Sequence, residues 1–114
     1  MTDCIFCKVS AGSIPSKIVY QDADVIAFHD IMPVAPKHLL VIPRKHVESI
    51  AETEPGDDEL LGKLMSTARK VAAEQGMAES GYRLVLNTGR DGGQSVFHLH
   101  IHILGGRHMG WPPG

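Results

Sequence analysis

An α+β fold is what this sequence predicts: a five-stranded antiparallel sheet with one long and one short helix. Three features point to it. Short β-favouring runs outnumber helical ones, turn residues join them at hairpin spacing, and one long stretch repeats its apolar residues at helical period. An antiparallel sheet with its helices segregated to one side follows from that order. The 114 residues, 43% of them hydrophobic, suffice for one compact core. With no repeat, low-complexity tract or linker, a single domain is expected over residues 1–114, its C-terminal tail starting at about residue 105.

Cys4 to Ala11 is expected as the short helix, ended by Gly12 and the Ile14-Pro15 step. Lys17 to Gln21 reads as the first strand, Gln21-Asp22-Ala23-Asp24 as its turn and Val25 to His29 as its hairpin partner. Pro33 and Pro36 bracket a loop ending at His38; the apolar run Leu39 to Ile42, stopped by Pro43, is the third strand. The long helix falls between Glu54 and Gln75, with Leu60, Leu61, Leu64, Ala68, Val71 and Ala72 on one face. Asp57, Asp58 and Glu59 in its first turn and Arg69 and Lys70 near its end suit the helix dipole, and Gly76 is a natural stop. Tyr82 to Leu86 alternates as the fourth strand. Asn87 to Gly93 is a polar, glycine-rich turn, and Val96 to Leu104 is the fifth strand.

Composition argues against some partners. Net charge is −2 and no basic run exceeds a pair such as Arg44-Lys45, so a nucleic-acid partner, which needs clustered Lys and Arg, is not expected. The longest apolar run, Leu39 to Ile42, is far below a membrane span, and the N-terminal stretch does not read as a secretory leader. A cytoplasmic location with no membrane partner is therefore expected. So small a domain has modest stability, which a second copy covering an apolar edge would raise. In a reducing compartment Cys4 and Cys7, at C-x-x-C spacing, suggest metal or redox chemistry more than a structural bridge.

Seven histidines, three of them within five residues, are the outlier in the composition. In His98-Leu99-His100-Ile101-His102-Ile103-Leu104 they alternate with aliphatic residues. On a strand all three imidazoles share one face, about 6.6 Å apart, while Leu99, Ile101 and Ile103 enter the core. The segment reads as a wet polar face, as a metal site, or as a catalytic centre. In the last case a neutral imidazole attacks phosphorus while a second, protonated one stabilises charge or donates a proton. Three successive histidines are an odd way to make a wet face when Thr, Lys or Glu would serve. Gly92-Gly93-Gln94 is either an ordinary hairpin turn or an anion-binding nest, and it lacks the lysine and following helix of a P-loop. Asn87 is likewise a turn former or a phosphate or sugar ligand.

The histidine segment matches the His-φ-His-φ-His-φ-φ motif of the histidine triad (HIT) superfamily. Gly92-Gly93-Gln94-Ser95-Val96 before it, and Gly105-Gly106-Arg107 with Trp111-Pro112-Pro113-Gly114 after it, resemble the Hint branch. So do Phe28-His29-Asp30-Ile31 and Pro36-Lys37-His38-Leu39-Leu40-Val41-Ile42-Pro43. The resemblance spans essentially the whole chain. It implies a purine nucleotide site and hydrolysis of nucleoside 5′-phosphoramidates or acyl-adenylates, AMP or GMP conjugates, through a nucleotidyl-histidine intermediate. It also implies a homodimer across which the sheet continues. The alternatives are a Fhit-like dinucleoside polyphosphate hydrolase, which Ser95 and the tail disfavour, a non-catalytic AMP-binding regulatory protein, and a zinc-centred interaction module.

By the same resemblance His100 is the nucleophile, one ring nitrogen held by the backbone carbonyl of His98. His102 contacts the phosphate, His38 approaches from the neighbouring strand, and Ser95 donates to a phosphate oxygen or the leaving group. Gly93, Gln94 and Asn87 join the phosphate contacts, Asp30 binds the ribose, and Ile31 walls the base pocket with Ile5, Phe6, Phe28 and Leu40. Catalysis needs no cofactor. Several triad proteins hold a structural zinc with two such cysteines and two histidines, and the matching residues here are Cys4, Cys7, His46 and His98. The alternative for the cysteines is two thiols packing the short helix. His29 is expected to pack beside the pocket and His108 to lie exposed in the tail.

Overall fold

The computed structural model describes residues 3–114. Helix α1 (Ile5–Ala11) begins at Cys4, whose sulfur accepts the Cys7 N–H at 3.3 Å, and ends at Gly12. Strands β1 (Ile18–Gln21) and β2 (Val25–His29) form a hairpin that Asp22 organises by accepting the N–H groups of Asp24 at 2.8 Å and Val25 at 3.0 Å. Strand β3 (Lys37–Pro43) follows, longer than its apolar run because it pairs along its whole N-terminal half with the last strand. Helix α2 (Asp58–Glu74) is preceded by a 3₁₀ turn over Pro55–Asp57, so the α-helix starts four residues later than Glu54. Asp57 closes that turn, accepting from the Glu54 N–H at 3.0 Å and from Lys45 Nζ at 2.7 Å. Gly76, at φ 80°, takes the left-handed conformation that ends α2. Strands β4 (Tyr82–Val85) and β5 (Ile101–Gly105) complete one antiparallel sheet of order β1-β2-β3-β5-β4.

Two expectations are corrected. The helices do not share a side. On one face Val25, Ala27, Leu39, Val41, Leu99, Ile101 and Ile103 pack with Leu64, Ala68, Val71 and Ala72 of α2. On the other, Ile26, Phe28, Leu40 and Ile42 pack with Phe6 and Val9 of α1. β2 and β3 are apolar at both alternating positions, so both faces must be covered.

The second correction concerns the histidine segment, whose ladder runs only over Ile101–Gly105 rather than Val96–Leu104. The β3–β5 register places Pro43 opposite Leu99, and proline has no N–H to give a ladder. β4 also stops pairing at Val85. Leu99 N–H turns instead to the Val47 carbonyl at 2.7 Å. The alternation nevertheless persists: Leu99 enters the α2 core with Ile101 and Ile103, and the imidazoles face the α1 side. None of the described helices is long and apolar enough to cross a membrane.

Candidate active site

Backbone groups fix the tautomer of each imidazole in the triad. His98 Nε2 lies 2.8 Å from the Pro43 carbonyl, so it carries the proton and Nδ1 is a bare lone pair. His100 Nδ1 lies 2.7 Å from the His98 carbonyl, so there the proton sits on Nδ1 and Nε2 is the free base. His38, on β3, accepts the Val34 N–H on Nδ1 at 3.1 Å; its own proton is therefore on Nε2, 2.9 Å from His102 Nδ1. His102 must accept there and carries its proton on Nε2. Asp30 Oδ2 flanks the His38 nitrogen at 3.3 Å, and Asp30 Oδ1 accepts the Met32 N–H at 2.8 Å.

Burial, with the neighbouring His100 and His38 rings, pulls the His102 pKa down to about 4. At neutral pH His102 is thus a neutral N–H donor. Burial lowers His38 as well, against the pull of Asp30.

His100 is buried, 4% exposed, with its ring 4.9 Å from His102 and 5.1 Å edge-on from Phe6. Its Nε2 bonds to no described group. Yet no buried side-chain nitrogen or oxygen among the described residues lacks a partner, so this atom is within reach of solvent.

His100 does not itself line the neighbouring cavity of about 420 Å³ but adjoins it through Phe6 and His102. The cavity is walled by Ile5, Phe6, Phe28 and Leu40 and bordered by Asp30, Ile31, His38, Ser95 and His102. Ile31 is 84% exposed at its rim. His29 lines the same cavity, and His108 is exposed. The glycine-rich turn is a different matter. Gly93 N–H donates to the Arg90 carbonyl and Gln94 N–H to the Gly89 carbonyl, each at 3.0 Å. The Gln94 carboxamide is buried, donating to the Glu48 and Val96 carbonyls and accepting the Gly89 N–H. Gly93 and Gln94 therefore brace the turn instead of offering donors to an anion. Asn87 lines a separate groove beside the C-terminal tail. Of the expected phosphate turn, only the exposed Ser95 borders the cavity. Sequence reasoning missed the Val34 amide and the Pro43 carbonyl, which carry no residue-type signature.

Behind the triad, Cys4, Cys7, His46 and His98 converge, their donor atoms all within 4.8 Å of one another. Cys4 Sγ to His98 Nδ1 is 3.2 Å, Cys7 Sγ to His46 Nδ1 is 3.3 Å, Cys7 Sγ to His98 Nδ1 is 3.6 Å and His46 Nδ1 to His98 Nδ1 is 3.1 Å. Tetrahedral zinc, at about 2.3 Å to sulfur and about 2.05 Å to nitrogen, sets its donors about 3.3–3.8 Å apart, so the residues fit the ion. The Pro43 carbonyl on His98 Nε2–H is the outer partner a ligating imidazole requires.

Asp30, His38 and His102 also cluster, but they fail that test. Val34 presents an N–H to His38 Nδ1, which leaves the proton on Nε2, where a metal would have to bind.

An antiparallel sheet holding like-sided imidazoles of fixed tautomer beside an apolar cavity defines a histidine triad protein. Residues 11–109 match the HIT domain, and the chain belongs to that family. It is 49% identical over 112 residues to a HIT-like protein of Synechococcus elongatus, covering 98% of this chain and 97% of that one. It is 48% identical over 105 residues to Protein HitA of Neisseria gonorrhoeae, covering 92% and 97%. A HIT family hydrolase from Legionella pneumophila superposes with a TM-score of 0.95 at 49% identity, over 98% of this chain and 100% of that one. A histidine triad protein from Clostridium difficile does so at 0.93 and 44%, over 96% of each. The fold is that of a HIT family hydrolase.

Proposed function

We propose that the protein is a purine nucleotide hydrolase of the Hint type, cleaving nucleoside 5′-phosphoramidates or acyl-adenylates through a covalent nucleotidyl-His100 intermediate. The observation that carries this reading is the tautomer of His100, whose Nδ1–H is held by the His98 carbonyl and whose Nε2 lone pair reaches solvent next to His102. The base rests against Ile31 and the Phe6–Phe28–Leu40 wall, and Asp30 accepts the ribose hydroxyls. His102 Nε2–H and the Ser95 hydroxyl donate to the phosphoryl oxygens.

His100 Nε2 attacks the α-phosphorus and the bond to the leaving amine breaks, the amine taking a proton from solvent water as it departs. The phosphorylated ring is then cationic, and its Nδ1–H bond to the His98 carbonyl is charge-assisted. Water then attacks phosphorus and gives up a proton to solvent while the P–N bond breaks with its electron pair on Nε2, which releases the nucleoside monophosphate and the neutral ring.

Cys4, Cys7, His46 and His98 would hold zinc as a closed four-ligand site, which supplies structure and not a reacting position. The reading includes a homodimer and a cytoplasmic location; β4, at one edge of the sheet, is a strand a second copy can extend.

The test is covalent labelling by a radioactive adenylyl phosphoramidate, with turnover of a tryptamine-type adenosine phosphoramidate compared against diadenosine triphosphate. The wild type is expected to carry an acid-labile label and His100→Ala none. A labelled or active alanine variant refutes the mechanism. A wild type that binds AMP and neither labels nor turns over favours the regulatory binder.

A further inference from the structure

The loop joining β2 to β3 sets the chemistry of His38 and His102, so what holds the loop matters. Its prolines, Pro33 and Pro36, have no N–H to give. Its polar ties are few among the described residues: Asp30 N–H to the His38 carbonyl, Met32 N–H to the Asp30 carboxylate, Val34 N–H to His38 Nδ1, and one from outside. That last tie comes from Arg107, just beyond the end of β5, whose guanidinium donates to the Val34 carbonyl at 3.2 Å. The preceding residue presses on the same loop. Gly106 sits at φ 90°, and a Cβ added there would lie 2.8 Å from Pro36 Cβ. The exit of β5 thus grips the loop at Val34 by a hydrogen bond and at Pro36 by close packing.

We propose that Arg107 is a positioning residue for the catalytic imidazoles: by holding Val34 through its carbonyl, it keeps the Val34 amide on His38 and thereby keeps His102 in its Nε2–H tautomer. The proposal rests on the reading that His102 faces the phosphate. With Val34 released, His38 Nδ1 loses its donor and can take the ring proton, which leaves Nε2 as an acceptor. His102 must then donate from Nδ1 and present a lone pair from Nε2. Each ring keeps one proton throughout. A donor to the phosphoryl oxygens becomes an acceptor, which opposes the negative charge of the transition state. Asp30 Oδ2, 3.3 Å from His38 Nε2, disfavours the swapped state and limits the effect.

Arg107→Ala, at an exposed position, is expected to lower kcat about fivefold, ~1 kcal/mol for one charge-assisted bond at the surface, with KM within about twofold. In long-range ¹H–¹⁵N spectra at neutral pH, the His102 ring proton is expected to move in part from Nε2 to Nδ1. Arg107→Lys, which keeps a donor, is expected to restore both. An Arg107→Ala variant whose His102 stays wholly in the Nε2–H form overturns the proposal. So does a rise in KM at unchanged kcat, since Arg107 would then be a charge contact with substrate, and so does a lysine that fails to restore the tautomer. The spectra report on the coupling whether or not the wild type hydrolyses a phosphoramidate, so a failure of the assigned activity is recognised separately.

Discussion

Lowering the pH from 7.5 to 4 is expected to destabilise the fold through His102. In the folded protein its pKa is held at about 4, chiefly by burial; in the unfolded chain it returns to about 6.5. Between those two values the unfolded state binds more protons, so the stability this ring contributes is whole above about 6.5 and is lost as pH falls toward 4. The gap corresponds to at most ~3 kcal/mol, and water at the partly exposed ring reduces that to about 1–2 kcal/mol. Urea unfolding should be followed by far-ultraviolet circular dichroism, because Trp111 is 82% exposed and would report little. His102→Gln cannot titrate, and comparing it with the wild type at each pH removes what other groups and any bound metal contribute. The variant should lose about 1–2 kcal/mol less than the wild type between pH 7.5 and pH 4. Equal losses would show that this ring is not held neutral by the fold, and the assignment of His102 as a neutral donor would go with it.

Leu99→Ala removes a side chain that is 1% exposed in the α2-face core, and it is expected to cost about 3 kcal/mol in urea unfolding. A loss under about 1 kcal/mol would mean that the alternation does not continue ahead of β5. Ile31→Ala, at an 84% exposed rim position, should change stability by less than about 0.5 kcal/mol. It should weaken AMP binding severalfold in calorimetry; unchanged affinity would remove Ile31 from the base site. Elemental analysis of purified protein is expected to find one zinc per chain, reduced by Cys7→Ser or His46→Ala. Chelation should lower the melting temperature and leave phosphoramidate turnover largely intact. Turnover lost on chelation without unfolding, and regained with zinc, would contradict an attack by His100 that needs no metal.

Elements set by local pattern were legible in the sequence. Val25–His29 begins and ends where its turn residues and apolar run place it, and the α2 face follows from three- and four-residue spacing. The start of β5 was not legible, because a ladder depends on its partner, and the residue that breaks this one is Pro43, 56 positions from Leu99 in the chain. The second buried face was legible in principle: the runs Val25 to Phe28 and Leu39 to Ile42 are apolar without alternation, a mark of strands covered on both sides. In the site, histidines, cysteines and Asp30 declare themselves by type and spacing. Gln94 misled for the opposite reason, since a carboxamide beside glycines suggests anion binding equally well when it is buried as a brace between Glu48, Gly89 and Val96.

What no residue type could declare is the proton pattern. Along the triad it runs Nε2, Nδ1, Nε2, and it is written by Pro43 at the end of β3, by His98 itself, and by Val34 acting through His38 in the loop before β3. Reversing any one of the three changes a ring's character: His98 would turn an N–H toward the cysteines, and, in the mechanism proposed above, His100 would lose the lone pair that attacks and His102 would turn a lone pair to the phosphate. Three identical side chains on one segment thus acquire three different chemical characters from backbone atoms in separate parts of the fold. Transplanting the His-x-His-x-His sequence to another sheet edge should therefore reproduce the imidazoles without their division of labour. The reactivity belongs to the framework as much as to the motif.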